Sequence, residues 1–150
     1  ILAWLVIIFV IVVIVAGFII VGSPATQRAR RFDDQRINDL TNVQRQITNY
    51  WQNTGKLPQT LDVLNDPVGN YLLPQDPDTR APYEYSVKGP NSFELCASFD
   101  LQLQDPCPNC ATKPMNYPVE SWIHTAGHAC FERTIDPSKY PVIQKQVIIK

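Results

Sequence analysis

The chain has 150 residues with a formal net charge of -1 at neutral pH, four cysteines and thirteen prolines. That length allows one modest domain behind any apolar segment. The near-neutral balance leaves no global field to attract nucleic acid or an anionic surface.

In chain order, the first element is the run from Ile1 to Val21, ILAWLVIIFVIVVIVAGFIIV, which contains no charge, amide or hydroxyl. At helical rise it is roughly 30 Å long, about the hydrocarbon thickness of a bilayer. A cleavable secretory signal has a basic start and a shorter apolar region, so this run is expected to be retained. The division that follows is 1–22 as an apolar transmembrane or filament-core helix and 23–150 as an amphipathic helix with a small extracytoplasmic sheet domain. Arg28, Arg30 and Arg31 just beyond the run favour a cytoplasmic side, but Asp33 and Asp34 blur that signal. Four cysteines in a small, proline-rich domain favour an oxidising compartment, and this is the side taken.

Ser23 is suited to N-cap a second helix with Pro24 at its first position, running to about Asn53. Phe32, Ile37, Leu40, Val43, Ile47 and Tyr50 predict one buried stripe. Gly55 supplies the stop and Pro58 prevents a restart. Pro24 deprives the carbonyl of Ile20 of its helical partner and pushes Ser23 toward extended angles, so a break is expected at the joint. Gly17 is a second weak point, and the non-helical section is expected to spread from about Gly17 to Ser23.

All prolines but Pro24 follow Gly55, which predicts short strands and turns. Leu61 to Asn65 reads as one helical turn capped by Thr60, and Asp66, Pro67, Gly69 and Asn70 as a turn. Tyr83, Tyr85 and Val87 alternate with polar residues, as do Phe93, Leu95, Ala97 and Phe99; with Gly89, Pro90 and Asn91 between them this predicts an antiparallel hairpin covering the helical stripe. Leu101 to Thr125 has no period and is expected to be a long ordered loop or a disulfide-pinned excursion. A third strand is expected from Ala129 to Ile135, while Val142 to Ile149 reads equally as an edge strand or a tail.

Cys96 and Cys130 fall on the polar faces of their strands, so neighbouring strands would allow a disulfide between them. Cys107 and Cys110 are left for each other in DPCPNCA. A redox dithiol normally stands at the start of a helix, and this pair stands in a proline-rich stretch, so a structural staple is the expectation. One C-x-x-C with partners at irregular spacing, with or without His124 or His128, is a weak zinc signal, and the two histidines are expected in an exposed turn. Asp62, Asp66, Asp76 and Asp78 could offer calcium ligands, but no twelve-residue calcium loop is present and they read as turn formers. Tyr50, Trp51 and Trp122 read as packing residues. No nucleophile is paired with a base in a recognised motif and no phosphate-binding loop occurs, so the chain is not expected to be an enzyme or to hold a cofactor or metal.

Three segments together carry a family resemblance. RARRFDDQRINDLTNVQRQITNYWQNTGKLP, Arg28 to Pro58, is similar to the charged pilin helix that ends in an aromatic pair, Gly and Pro. LPQDPDTRAPYEYSV, Leu73 to Val87, is similar to that family's Pro-Asp-Pro turn and Tyr-x-Tyr strand, and SFELCASFD resembles the cysteine-bearing strand after it. Behind the apolar run, this layout resembles type IV pilins and the pseudopilins of type II secretion. The resemblance implies an α+β fold, a long N-terminal helix (apolar half, then amphipathic half) packed on a small antiparallel β-sheet. It implies a structural subunit of a type IV pilus-like extracellular filament, with Ile1, Trp4, Leu5, Phe9, Gly17, Phe18 and Pro24 in the assembly core. Its partners would be further copies of itself in a helical homopolymer, the cytoplasmic (inner) membrane that anchors it before assembly, and the pilus assembly machinery; nothing points to nucleic acid. The alternative is a membrane-anchored extracytoplasmic pilin-like binding module, or a minor pseudopilin outside the main filament. One departure stands out: most pilins carry a glutamate at the fifth position of the mature helix, where this chain has Leu5.

Overall fold

The computed structural model describes residues 2–21, 23–66, 69, 71–103 and 121–143. Helix α1 spans Leu2–Val21 and helix α2 spans Pro24–Thr54, followed by a 3-10 turn at Leu61–Leu64. Three strands follow, β1 (Glu84–Val87), β2 (Ser92–Phe99) and β3 (Gly127–Thr134), in one antiparallel sheet of order β1-β2-β3. The protein is thus α+β, a long helix with a small three-stranded antiparallel sheet.

The joint between the helices is narrower than the sequence leads one to expect. Helix α1 continues through Gly17 to Val21, and Ser23 alone of the described joint residues is extended, with φ -72° and ψ 147°. A helical glycine costs only about 1 kcal/mol relative to alanine. Melting the last turn of an apolar helix would strand several carbonyls without partners, a larger cost. Ser23 caps α2 as expected: its Oγ accepts from the Thr26 amide at 3.2 Å, and Pro24 occupies the first turn.

Helix α2 buries Asp33, Arg36, Leu40, Val43, Ile47 and Trp51. The steps of three and four are those of a single helix face. Phe32, Ile37 and Tyr50 flank it half-buried, so Trp51 takes the place that the sequence reading assigned to Tyr50. Gly55 ends the helix with φ 71°, its amide donating to the Trp51 carbonyl at 2.7 Å.

Against this face lie Phe93, Leu95, Ala97 and Phe99 of β2 and Phe131 of β3. The alternation of β2 therefore holds. In β1 it fades: Tyr83 is buried just before the strand and Tyr85 is half-buried, but Val87 is exposed. Val87 is the last residue of β1, an edge strand of the sheet. Tyr85 instead secures the edge by donating its hydroxyl to the Pro58 carbonyl at 2.8 Å.

The 3-10 turn forms where the sequence places a helical turn, but Thr60 makes no side-chain cap to it. Asp66 accepts from the Gly69 amide at 2.9 Å, as a turn former should. Of the 101–125 stretch, 104–120 lie outside the described residues; on either side of them Leu103 and His124 exchange backbone hydrogen bonds of 3.0 and 3.3 Å. Cys107 and Cys110, and the pairing expected of them, lie outside the described residues. The 142–149 segment is described only at its start, where the Ile143 amide donates to the Gln52 carbonyl at 2.7 Å.

Candidate functional site

Three features of the described chain bear on function: the surface of α1, an ion cluster that locks the head, and a polar row across the sheet.

Helix α1 is apolar on every side, so no face of it is suited to water. Trp4 is 70% exposed and Phe9 68% exposed, and the aliphatic side chains among residues 6–14 are exposed around the whole circumference. Among the described residues, nothing beyond its own helix's neighbouring backbone lies within 4 Å of where a Gly17 side chain would stand. Leu5 and Phe18 lie within the helix, but their side chains, like the whole of Ile1, fall outside the described residues. Pro24 begins α2 across the joint. Among the described residues no helix is long and apolar enough to cross a membrane. The described side chains of α1 fall in separate runs, 6–14 being the longest, so the bilayer-spanning expectation rests on the sequence.

The ion cluster is what the sequence reading missed. Arg36 is 3% exposed; its Nε donates to Asp76 Oδ2 at 2.6 Å, and its Nη1 to Asp33 Oδ1 and Asp100 Oδ2, both at 2.8 Å. Asp33 in turn accepts from the amides of Asp100 and Leu101 at 2.9 and 2.8 Å. Asp76 also accepts from the amides of Asp78 and Thr79, so the turn-forming role expected of it holds within a larger one. The guanidinium thus ties α2 to the Asp76 turn and to the end of β2. Burial works against the Arg36 charge, but the hydrogen bonds to Asp76, Asp100 and Asp33 outweigh it and raise its pKa. Burial likewise pushes the Asp76 carboxyl up, but Arg36 and the two amides overcome this and hold it at about 2. Close by, Tyr83 donates its hydroxyl to Asp39 at 2.8 Å; burial first, then this carboxylate, raises the Tyr83 pKa. The signal for the cluster was present in spacing, since 33 and 36 extend the 40-43-47 stripe by one turn.

On the sheet face away from α2, Glu84, Cys96 and Cys130 stand directly opposite one another across the three strands. Cys96 and Cys130 form a disulfide with Cα atoms 4.1 Å apart, as their strand faces implied. His128 lies two residues before Cys130 on the same face. Its Nδ1 is 3.9 Å from the Cys130 sulfur, and its Nε2 is 3.2 Å from Glu84 Oε1.

His124 departs from its expected place in an exposed turn. It is 6% exposed, stacks on Phe99 with ring centroids 3.6 Å apart, and pairs Nδ1 with the Trp122 carbonyl at 2.7 Å. The bridge to Leu103 draws it inward. Trp122 packs edge-on to Phe131 and lies under the Arg133 guanidinium at 4.3 Å, consistent with a packing role. No family model, curated protein or solved structure matches this chain.

Proposed function

We propose that the chain is a structural subunit of a pilin-like extracellular filament, built by bundling α1 in a core with the α+β head outside. The observation that carries this reading is α1 itself: a 20-residue helix, apolar on all sides in sequence and exposed at every one of its described side chains, joined to a folded head through the short break at Ser23. Such a helix must be covered by lipid or by other apolar helices, at roughly 25 cal/mol per Å² of apolar surface removed from water. Further copies of α1 offer the same surface in unlimited number. Before assembly, the uncharged Ile1 to Val21 run would lodge in the cytoplasmic membrane. The assembly machinery would be the partner that extracts it, and the finished filament would lie at the cell surface. The three resembling segments, Arg28 to Pro58, Leu73 to Val87 and the Cys96 strand, support the same reading, and the head places them as α2, the Asp76 turn with β1, and β2.

Electron microscopy of the full chain after detergent removal at neutral pH tests the reading. Uniform helical fibres are the expected outcome. A chain that stays a dispersed monomer, or is held only in vesicles as an anchored module, overturns it.

A further inference from the structure

The polar row across the sheet contains more than a staple. The ligand atoms of Cys96, Cys130 and His128 all lie within 4.8 Å of one another. Two thiolates and one imidazole are the donor set that selects Zn²⁺ or Cu⁺ over hard cations. The register holds the two cysteines on adjacent strands with Cα atoms 4.1 Å apart, so reduction frees the sulfurs without separating their backbones. His128 already has a carboxylate behind it, because Glu84 Oε1 pairs with Nε2 at 3.2 Å and leaves Nδ1 directed at the sulfur. A carboxylate-histidine pair of this kind orients the ring and raises its strength as a ligand. Cys130 and His128 are exposed, so a cation has an entry path and water can fill a fourth position.

We propose that Cys96, Cys130 and His128 form a redox-gated site for a soft or borderline cation, closed in the oxidised protein and opened on reduction. Two equivalents of a small thiol reduce the disulfide to two cysteine thiols and leave as their own disulfide. The cation then displaces both thiol protons into solvent and takes His128 Nδ1 as its third ligand. Reoxidation by a small disulfide removes two electrons from the thiolates, re-forms the Cys96–Cys130 bond and releases the cation along with two small thiolates. Glu84 acts as a positioning residue through His128. The site is independent of whether α1 assembles.

The test uses the full chain carrying C107S and C110S, reduced anaerobically with a phosphine and titrated with Co²⁺ as a spectroscopic probe. One equivalent should bind with a tetrahedral visible spectrum and a thiolate charge-transfer band, and the oxidised chain should show neither. H128A should weaken binding at least roughly tenfold and shift the spectrum, and Glu84→Gln should weaken it about tenfold or more with the spectrum largely kept. Far-UV circular dichroism follows the fold throughout. The proposal is overturned if the reduced chain takes up no Co²⁺, if the oxidised chain binds it equally, or if neither substitution changes the affinity. It is also overturned if the reduced head unfolds and the cation does not restore it.

Discussion

Removing the Arg36 side chain would leave Asp33, Asp76 and Asp100 facing one another without their shared cation. Breaking a buried ion pair from one side is costly because the surviving charges stay desolvated. Arg36→Ala should therefore destabilise the head by roughly 3–5 kcal/mol, read as a lower urea midpoint with an unchanged m-value. The same cluster sets the response to acid. Asp76 sits at about 2 when folded, against about 3.9 for a free aspartate. A depressed carboxylate contributes stability that is complete above its unfolded value and is lost as pH falls through its folded one. Stability should thus decline between about pH 4 and pH 2. Asp39 acts with the opposite sign, since burial raises its pKa against the Tyr83 hydrogen bond, with Asp76 adding to the rise. Its stabilising contribution is present at low pH and lost as pH rises through its folded value, so it cannot cause the acid loss. Urea midpoints measured across that range should fall less steeply in Asp76→Asn than in the wild type, from a lower starting stability.

Between elements, the joining contacts are of two kinds. The helix is held to the sheet by apolar burial and by Arg36, whereas β2 and β3 are held to each other by the ladder and by one covalent bond. That bond joins residues 34 apart in sequence, and the loop-entropy relation puts its contribution at roughly 3–4 kcal/mol. Cys96→Ser/Cys130→Ser should lower the stability of the head by about that amount in denaturant titration. Peptide mapping without reductant should recover the two cysteine peptides joined. A Cys96 peptide linked instead to Cys107 or Cys110 would contradict the cross-strand pairing.

For the molecule as a whole, the extended Ser23 stands between α1 and α2. The head has its own core, from Leu40 and Trp51 of α2 to Phe93, Leu95 and Phe131 of the sheet and Ile135 beyond it, and among the described residues this core includes none from α1. Deleting residues 1–22 should leave a cooperatively folding monomer in sedimentation, with the full chain assembling under the same conditions. A truncated chain that polymerises would move the assembly surface from α1 to the head.

The sequence by itself determined the parts governed by local chemistry and simple period. Ser23 and Pro24 begin α2 because one accepts an orphan amide and the other lacks a hydrogen to lose. Gly55 ends α2 because it takes positive φ freely, and β2 alternates because one face must meet a helix. The shared face of Cys96 and Cys130 follows from the same alternation. Only the tertiary structure decided what depends on partners distant along the chain. Arg36 and Asp33 look like solvated charges on a polar helix until Asp76 and Asp100 arrive from 40 and 64 residues away. His124 reads as an exposed turn residue until the bridge to Leu103 folds it onto Phe99. The extent of the break before Pro24 was likewise a competition: α1 runs on to Val21 and Ser23 is extended, because the weak propensity of Gly17 lost to the cost of unpaired carbonyls in an apolar helix. A polar residue buries only when a partner of matching charge or geometry is brought to it, and sequence period carries no record of that partner's approach.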